Sequence, residues 1–584
     1  MKLLNWFRTL PALTVFLTGF LLFAWSVLLL ALFSVFSPWL ITPLLILSGA
    51  FFGRGLFALW KERDFFRLIL WGLSMLFAAS ITLTSEPTIF SGRDQGSIAE
   101  AAYRLATNHT LTFETPASRA FFEIYGPGTA LNFPGFAYTE SGKLVTQFPL
   151  AYTAWVGSFL SLFGLTGYGI ANLVLLVFFP FLFFELLSLF VPRFLASGGT
   201  LLTALSFLPV WMAKYTLSEN LAAVLFVGLA FSLIKFIQEK SSSWYFLTLA
   251  FALLFPFTRI EGFAFLILVF VLLLSRTDIR QWIFSSFWKR AFLPGSAFFL
   301  LFLRDFVVNL PFYKMIAKAL IRHSQELSAL GNLPESSGEI GLGGIFLSYG
   351  LFFVFLFGFL GILLALSKKE RFPLLVLFLA APTLIYLVAP SITPDHPWML
   401  RRYFFSLYPT FVFFSVIGIW LLSRRTEGNI KKSWALSAFA LLLFFQIGGF
   451  FGAWSTTENK GFQKEVSFFS GRFGERDLIL IDRLVTSDPF ALPTGPMNFL
   501  DQKQAVYFFN PNDLGRLDRS RFDKIYLVAP AESLSLYSGT LGEKLLPRET
   551  TTFTRSLSLP RENAFSLPAQ VTVSTDNILF EVTP

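Results

Sequence analysis

The residue with the clearest chemical potential in this sequence is Asp94, which lies in the segment Ser91-Gly92-Arg93-Asp94-Gln95-Gly96-Ser97. An apolar stretch long enough to span a bilayer precedes this segment, and the mostly polar residues 97–148 follow it. A carboxylate at the mouth of a membrane helix bundle is costly unless it is used. A positioned Asp can accept a proton from an attacking hydroxyl, whereas the alternative is that Asp94 caps a helix N-terminus. The sequence leaves both roles open, and one residue can fill both.

Glu100 is the second carboxylate of this region, six positions after Asp94. On a helix the two side chains fall on different faces. We therefore expect only Asp94 to point toward a central cavity, with Glu100 in a supporting position.

Two short turns between apolar segments carry further charged residues. The turn around Lys214 and Glu219 could meet a phosphate through the lysine and hold a metal ion or an acceptor hydroxyl through the glutamate. The alternative is that both side chains reach from the interface to water. In the second turn, Arg259 and Glu261 form either a supporting part of a site or a structural ion pair.

The strongest group of candidates is Pro394-Asp395-His396-Pro397-Trp398-Met399-Leu400-Arg401-Arg402-Tyr403. Membrane topology does not account for the position of Arg401 and Arg402. Basic residues concentrate in cytoplasmic loops, whereas this pair is predicted to lie on the external side. Guanidinium groups bind phosphate oxygens bidentately and stay charged when partly desolvated. The pair is therefore predicted to bind a phosphate, with Tyr403 in support. Asp395 and His396 could ligate a metal ion or orient the ligand, although a chain with three His gives no reason to expect a His-rich metal site.

The composition is that of a membrane protein. The chain of 584 residues is 54% hydrophobic and 14% charged, with a mean hydropathy of +0.64, whereas a soluble domain is roughly 25% charged. Apolar runs long enough to cross a bilayer recur along residues 10–451. The absence of Cys excludes disulfides and Cys nucleophiles. The net charge of +10 lies mainly in short loops, which indicates membrane topology and not nucleic-acid binding.

Thirteen transmembrane helices are predicted, at residues 10–33, 37–53, 67–84, 167–190, 197–213, 219–237, 243–257, 260–275, 290–303, 345–366, 372–390, 402–423 and 433–453. Four short basic loops, after spans two, eight, ten and twelve, fix the orientation when they are placed in the cytoplasm. Residues 85–148 then form the first long external loop, and residues 304–344, 391–401 and 454–584 are also external. Residues 149–163 would break the alternation as a span, so they are predicted to form an interfacial or partly embedded helix.

The composition changes after the last span, which divides the chain into a membrane domain, 1–453, and an extracytoplasmic accessory domain, 454–584. Residues 477–482, 505–509 and 524–528 have the pattern of short buried strands. The turn-rich segments between them indicate a small α/β domain, and residues 570–582 have the pattern of a closing hairpin. Since no glycine-rich phosphate loop follows a strand, no nucleotide site is predicted.

The order and common sidedness of these motifs resemble the GT-C superfamily of integral-membrane glycosyltransferases. Within it the chain is similar to glycosyltransferase family 39, which includes protein O-mannosyltransferases and lipid A aminoarabinose transferases. Arg93-Asp94-Gln95 resembles the acidic motif of that family's first long external loop, and the segment 143–150 resembles the Pro-containing segment that often closes it.

Three further motifs match looser signatures of the family. These are Lys214-Tyr215-Thr216-Leu217-Ser218-Glu219, Thr258-Arg259-Ile260-Glu261-Gly262, and Arg401-Arg402-Tyr403 with Pro409. The resemblance covers residues 67–425 and has two departures. Many family members carry Asp-Glu where this chain has Asp94-Gln95, and the two spans before the acidic loop are additional.

The resemblance implies that a sugar moves from a polyprenyl-phosphate-linked donor to a lipid, glycan or protein acceptor, with inversion. The site would face outward from a bacterial-type inner or plasma membrane, among membrane lipids. A phosphate leaving group needs no general acid, so cations from Lys214, Arg401 and Arg402 would stabilise its charge. Asp94 would take the proton of the acceptor hydroxyl. A divalent cation remains open as a cofactor.

Two other functions compete with this interpretation. A lipid-linked glycan transporter or flippase would line a path with intramembrane charges, but no inverted repeat is evident and the polar residues gather on one side. A polysaccharide polymerase or ligase also handles lipid-linked glycans with external arginines. It would not require Asp94 in the first long loop.

Overall fold

The computed structural model describes residues 11–87, 89–318, 342–389, 397–424, 429–488, 490–559 and 569–583. Within these ranges, the side chains of residues 429–432, 543, 558, 559 and 569 are not described. The chain is mostly helical, with a small sheet in its first long loop and a larger sheet near its C-terminus.

The helices that precede the C-terminal sheet are numbered in chain order. They are α1 (Ala12–Leu32), α2 (Pro38–Lys61), α3 (Phe65–Thr82), α4 (Arg93–Asn108), α5 (Pro116–Tyr125), α6 (Leu150–Phe163), α7 (Gly167–Ser188), α8 (Arg193–Ala204), α9 (Phe207–Ala213), α10 (Glu219–Glu239), α11 (Ser242–Leu254), α12 (Gly262–Ser275), α13 (Thr277–Phe284), α14 (Leu293–Val308), α15 (Leu342–Ser348), α16 (Phe352–Ser367), α17 (Arg371–Ala380), α18 (Ile385–Val388), α19 (Arg401–Phe404), α20 (Leu407–Ser423) and α21 (Asn429–Ser455).

Length and composition identify the helices that can cross a membrane. In the described part of the chain, seven helices meet these criteria, or up to eleven if each bent pair of helices is one span. Large apolar side chains such as Trp39 on α2 and Leu76 on α3 lie exposed on the protein surface. A hydrocarbon environment covers such side chains without cost. The polytopic helical architecture is therefore confirmed, whereas the count of thirteen spans is not.

Residues 150–188 contain a helical hairpin. After α6 a single 3-10 turn, Gly164–Thr166, reverses the chain into α7. The hydroxyl of Tyr152 donates to Asn172 Oδ1 at 2.6 Å, and Trp155 Nε1 donates to the Ala171 carbonyl at 3.1 Å. The segment predicted at 149–163 is thus a separate helix that leads into the next span, and most of it is buried by protein.

The chain between α3 and α6, residues 83–149, forms a folded layer that we call the first long loop. It contains α4, α5 and a four-stranded antiparallel sheet in the order β1-β4-β3-β2. The strands are β1 (Thr112–Phe113), β2 (Gly128–Thr129), β3 (Phe136–Tyr138) and β4 (Leu144–Thr146). Helix α4 rests on the hairpin, since the hydroxyl of Tyr168 donates to the Ala99 carbonyl at 2.7 Å. This contact fixes the helix that begins beside Asp94.

The described residues 456–583 form an α/β layer that we call the C-terminal unit. Its main elements are α22 (Phe462–Ser470), β5 (Leu478–Asp482), α23 (Thr494–Phe499), β6 (Gln504–Phe508), β7 (Ile525–Pro530), α24 (Leu534–Leu541), β8 (Leu545–Leu559) and β9 (Ala569–Val582). The sheet order is β6-β5-β7-β9-β8, with β5 parallel to both β6 and β7. The three buried strands predicted from the sequence are confirmed.

The prediction that residues 570–582 form a closing hairpin by themselves is wrong. Residues 570–582 lie in the single strand β9, and its antiparallel partner is β8. The sequence analysis did not predict β8. Its residues alternate between polar and apolar, but no two-residue turn links them to β9 in the sequence, so the two strands were not recognised as a hairpin.

The C-terminal unit is bound directly to the first long loop. The main-chain N–H of Tyr507 donates to the Asn132 carbonyl at 3.1 Å, and Asn132 Nδ2 donates back to the Tyr507 carbonyl at 2.7 Å. Arg516 Nη2 donates to the Ile124 carbonyl at 2.8 Å. The first long loop is therefore held between the hairpin and the C-terminal unit.

Candidate active site

Asp94 lies in the first turn of α4, where the backbone is tightly constrained. Gly92 is the N-cap residue with φ of +71°, and Arg93 follows with φ of +49°. A Cβ at Gly96 would lie 1.8 Å from a main-chain carbonyl oxygen, so glycine is required for this close approach. The helix has no side-chain cap hydrogen bond. Asp94 is therefore not its N-cap, and its carboxylate forms an ion pair with Arg401 instead.

Five side chains from four separate segments form one alternating series of charges, which we call the charge chain. Asp94 pairs with Arg401, and Arg401 Nε lies 3.8 Å from Glu219 Oε1. The same Glu219 oxygen lies 2.7 Å from Arg259 Nη1. Arg259 then binds Glu261 with two hydrogen bonds, at 2.8 and 3.2 Å. The charge chain thus joins the first turn of α4 to three turns that the sequence places far apart.

Exposure of the charge chain is lowest at Glu219, in its middle, and is highest at Asp94. Glu219 is 2% exposed and Arg259 15%, whereas Arg401 is 23% and Asp94 40% exposed. A buried carboxylate is tolerated only when it is paired, and Glu219 has an arginine on each side. Asp94 is the most accessible member of the chain to an incoming ligand.

Pairing outweighs burial at the inner end of the charge chain. Burial by itself would lower the pKa of Arg259, but Glu219 and Glu261 raise that pKa well above its usual value. Burial would likewise raise the pKa of Glu261, but Arg259 and the hydroxyl of Tyr386 lower it to about 2. The Arg259–Glu261 pair is therefore fully ionised at neutral pH and suits a fixed supporting role.

Arg402 lies beside the charge chain. Its guanidinium carbon is 5.8 Å from the centre of the Tyr386 ring. Tyr403 is fully buried, and its hydroxyl donates to the Tyr386 carbonyl at 2.7 Å. Across the ranges that the structure describes, no carboxylate pairs with Arg402. A half-buried guanidinium in this setting is suited to an anionic ligand.

Lys214 and Glu100 lie apart from the charge chain. Lys214 Nζ donates to the carbonyls of Trp454 at 2.8 Å and Thr456 at 2.7 Å, at the end of α21. Burial lowers the pKa of Lys214 to about 8. Glu100 is buried against the C-terminal unit, where a Cβ at Gly495 would lie 2.5 Å from its Oε1. Burial raises the pKa of Glu100 well above its usual value, against a hydrogen bond from Ser91.

The remaining candidates concern a metal ion. Asp395 and His396 lie outside the described residues. Among the residues that are described, no three His, Asp or Glu side chains are grouped so as to hold a metal ion. Glu219, the other candidate ligand, is engaged by two arginines.

Two aromatic contacts to the charge chain were not predicted. The hydroxyl of Tyr386 donates to Glu261, and the guanidinium of Arg259 lies 4.8 Å from the centre of the Phe405 ring. Both aromatic residues flank the Arg401 motif in sequence. Their closeness in sequence to the Arg401 motif was the one feature that could have indicated these contacts.

A third unpredicted contact involves Arg93. Its guanidinium lies between the rings of Trp398 and Phe490, 4.7 Å from the centre of each. Trp398 belongs to the Arg401 motif, whereas Phe490 belongs to the C-terminal unit. No pattern in the sequence connects Phe490 with Arg93.

Comparisons with known proteins establish the fold. No family model and no curated protein matches the sequence. The structure is similar to that of ArnT from Cupriavidus metallidurans bound to undecaprenyl phosphate, with a TM-score of 0.50 and 11% identity over 88% of this chain and 97% of ArnT. It is also similar to the apo oligosaccharyltransferase of Archaeoglobus fulgidus, with a TM-score of 0.51 and 11% identity over 81% of this chain and 70% of that protein. The chain therefore shares the fold of these two proteins, and its long apolar helices make it an integral membrane protein.

Proposed function

We propose that this protein transfers a sugar from a polyprenyl-phosphate-linked donor to a hydroxyl of a lipid, glycan or protein acceptor, with inversion. The observation that carries the proposal is the accessible Asp94–Arg401 pair at the outer end of the charge chain. It places a base and a phosphate-binding cation side by side. Arg402 adds a second cation nearby.

In the proposed reaction the donor phosphate binds Arg401 and Arg402. Competition by the phosphate for Arg401 releases the Asp94 carboxylate, which then accepts a hydrogen bond from the acceptor hydroxyl. The hydroxyl oxygen attacks the anomeric carbon and the bond from that carbon to the phosphate oxygen breaks. The proton passes to Asp94, and the negative charge on the departing lipid phosphate is stabilised by the two guanidinium groups.

The buried part of the charge chain supports this exchange. Glu219 lies 2.7 Å from Arg259, so it keeps a cationic partner when a ligand engages Arg401. Arg259 is in turn fixed by Glu261 and the Phe405 ring. These residues hold Arg401 close to Asp94 and need not move during the reaction.

The membrane setting follows from the same arrangement. A polyprenyl tail would remain in the bilayer while its phosphate meets cations at the mouth of the helix bundle. The ArnT structure to which this chain is similar contains undecaprenyl phosphate, which supports a lipid-phosphate donor. We place the site on the extracytoplasmic side of a bacterial-type inner or plasma membrane, because the four basic loops then face the cytoplasm. We also propose that residues 1–453 form the catalytic domain and 454–584 an accessory domain on the same side.

The remaining candidates keep less direct roles in this proposal. Lys214 binds the end of α21 and is assigned to the support of the site, because its ammonium is already engaged by two carbonyls. Glu219, Asp395 and His396 stay candidates for acceptor or metal binding. Tyr403 and Glu100 support the two sides of the site.

The proposal is tested with purified protein in liposomes that contain synthetic polyprenyl-phosphate sugars. We expect release of free polyprenyl phosphate that depends on an added acceptor, measured by mass spectrometry. Comparison of glycolipids and glycoproteins from a deletion strain identifies the acceptor. Movement of the intact donor across the liposome membrane without release of polyprenyl phosphate would reject the transferase and support a flippase.

A further inference from the structure

The C-terminal unit sends one loop directly onto the start of α4. We call residues 486–495, apart from residue 489, the cover loop. The main-chain N–H of Ser91 donates to the Leu492 carbonyl at 3.2 Å. Gly495 approaches so closely that a Cβ there would lie 2.1 Å from the Ile89 carbonyl oxygen. The cover loop is therefore packed against the backbone that leads into Asp94.

Phe490 is the side chain through which the cover loop contacts the acidic motif. A Cβ at Gly92 would lie 2.6 Å from Phe490 Cβ, so the ring rests directly on the N-cap of α4. The Phe490 ring also contacts the guanidinium of Arg93. This guanidinium lies between the rings of Phe490 and Trp398, 4.7 Å from the centre of each. A cation between two aromatic faces is attracted to both.

Arg93, which is held between the two rings, has an unusual backbone conformation. Arg93 has φ of +49°, a left-handed conformation that side chains other than glycine adopt at a cost. Asp94 follows directly, so the backbone direction at Arg93 sets where the carboxylate points. Removal of the ring contacts would let the chain relax from this conformation and change the orientation of Asp94.

The cover loop is held in place by contacts within the C-terminal unit. Asp488 forms an ion pair with Arg555 of β8, whose side chain is almost fully buried. Asp488 also accepts hydrogen bonds from Thr486 Oγ1 at 3.1 Å and from the Phe490 main-chain N–H at 3.3 Å. A loop that only filled space would not need a buried ion pair at its centre. This anchoring holds the Phe490 ring at a defined position.

We propose that Phe490 is a positioning residue of the active site, which acts through Arg93 to hold the Asp94 carboxylate in the orientation used for transfer. The C-terminal unit thereby completes the catalytic site instead of serving only as an appendage. The catalytic part of this inference rests on the proposed function. The structural part, the hold of Phe490 on residues 89–96, does not.

The test compares Phe490→Leu with Phe490→Tyr in the full-length protein. Leucine fills much of the space but has no aromatic face, whereas tyrosine keeps the face. Phe468→Ala is the matched control, since Phe468 is an aromatic residue of the same unit that lies beside Arg472 and is 76% exposed. Hydrogen exchange of residues 89–96, read by mass spectrometry, reports the hold on the acidic motif independently of activity.

We expect exchange in residues 89–96 to be about tenfold faster in Phe490→Leu, with wild-type rates in Phe490→Tyr and Phe468→Ala. In the transfer assay, kcat of Phe490→Leu should fall between about ten- and a hundredfold, the scale of a small misplacement of a reacting group. KM for the donor should change less than about twofold, because the phosphate-binding arginines are not touched. Phe490→Tyr should recover most of kcat.

Arg93→Gln provides an independent variant that removes the cation and leaves the ring in place. It should reproduce the Phe490→Leu effects, and the double variant should be no worse than either single variant. Unchanged exchange and unchanged kcat in Phe490→Leu would overturn the proposal, as would additive losses in the double variant. If the wild-type protein transfers no sugar, the proposed function fails, while the exchange experiment still decides whether Phe490 holds the acidic motif.

Discussion

The substitutions Asp94→Asn and Glu219→Gln separate catalysis from folding within the same charge chain. Each removes one negative charge and keeps the shape of the side chain. Asp94 is 40% exposed and has one arginine partner, whereas Glu219 is 2% exposed and lies between two arginines. The two variants should therefore fail in different ways.

The expected magnitudes follow from these environments. An accessible ion pair contributes roughly 0.2–1 kcal/mol to stability, so Asp94→Asn should change the free energy of unfolding by less than about 1 kcal/mol. Asn cannot accept a proton, so sugar transfer should fall by about 10²-fold or more. A hundredfold loss corresponds to about 2.7 kcal/mol in the reaction barrier. In this variant the catalytic loss therefore exceeds the loss of stability.

Glu219→Gln should show the opposite order. It leaves Arg259 with Glu261 alone and removes the inner partner of Arg401. Removal of one partner of a buried ion pair costs about 3–5 kcal/mol when the other charge is left without compensation. Glu261 and Asp94 still pair with the two arginines, so we expect a cost below that range but larger than that of Asp94→Asn, seen as a clear drop in the thermal midpoint or in the yield of folded protein.

The assay measures thermal unfolding and donor turnover on the same purified samples. Wild-type turnover by well-folded Asp94→Asn protein would refute the assignment of Asp94 as the base. A destabilisation of Asp94→Asn as large as that of Glu219→Gln would refute the argument from burial. Asp94→Glu serves as the control that retains a base but displaces it by one methylene.

Three further predictions test donor binding, pH dependence and topology. Arg401→Ala and Arg402→Ala should each raise KM for the lipid-phosphate donor. The Lys variants should recover donor binding only in part, since lysine lacks the bidentate fork of arginine. Unchanged donor kinetics in both Ala variants would contradict this role. Because burial raises the folded-state pKa of Glu100, the folded state binds more protons than the unfolded state, so stability should fall as pH rises above about 4.5. Glu100→Gln should therefore have a higher thermal midpoint than wild type at pH 7 and the same midpoint at pH 4, and equal midpoints at both pH values would refute the argument. In this Cys-free chain, cysteines at the exposed positions Ser141 and Ser535 should both react with an impermeant thiol reagent in intact cells, and labelling of only one would break the proposed topology.

The sequence predicted the helical membrane architecture because long apolar segments have few other stable structures. It also identified the members of the charge chain, since charged residues next to apolar spans are rare and costly. What it could not predict was the pairing among them. That Glu219 lies between Arg401 and Arg259 depends on how four turns pack, and each turn is consistent with several partners.

The contacts that were missed share one property. Each joins an aromatic ring to a charged side chain that is distant in sequence. The chain has 77 Phe, so no pattern distinguishes Phe490, which rests on Arg93, from any other phenylalanine. Lys214 shows a second limit of the sequence, because a lysine beside a candidate site suggests phosphate binding, while the contacts of its ammonium with two carbonyls at the end of α21 could not be predicted.

The arrangement of the charge chain explains how one end can exchange partners while the rest stays fixed. Three carboxylates alternate with two guanidinium groups, so the series carries a net charge of −1 and both of its ends are acidic. If a donor phosphate takes Arg401, the buried Glu219 keeps Arg259 at 2.7 Å and is not left without a partner. Only Asp94 then loses its cationic partner. Asp94 is exposed enough for an acceptor hydroxyl to take the place of Arg401 as its partner. In the proposed reaction the donor phosphate therefore also frees the base, and we expect the donor to bind before the acceptor.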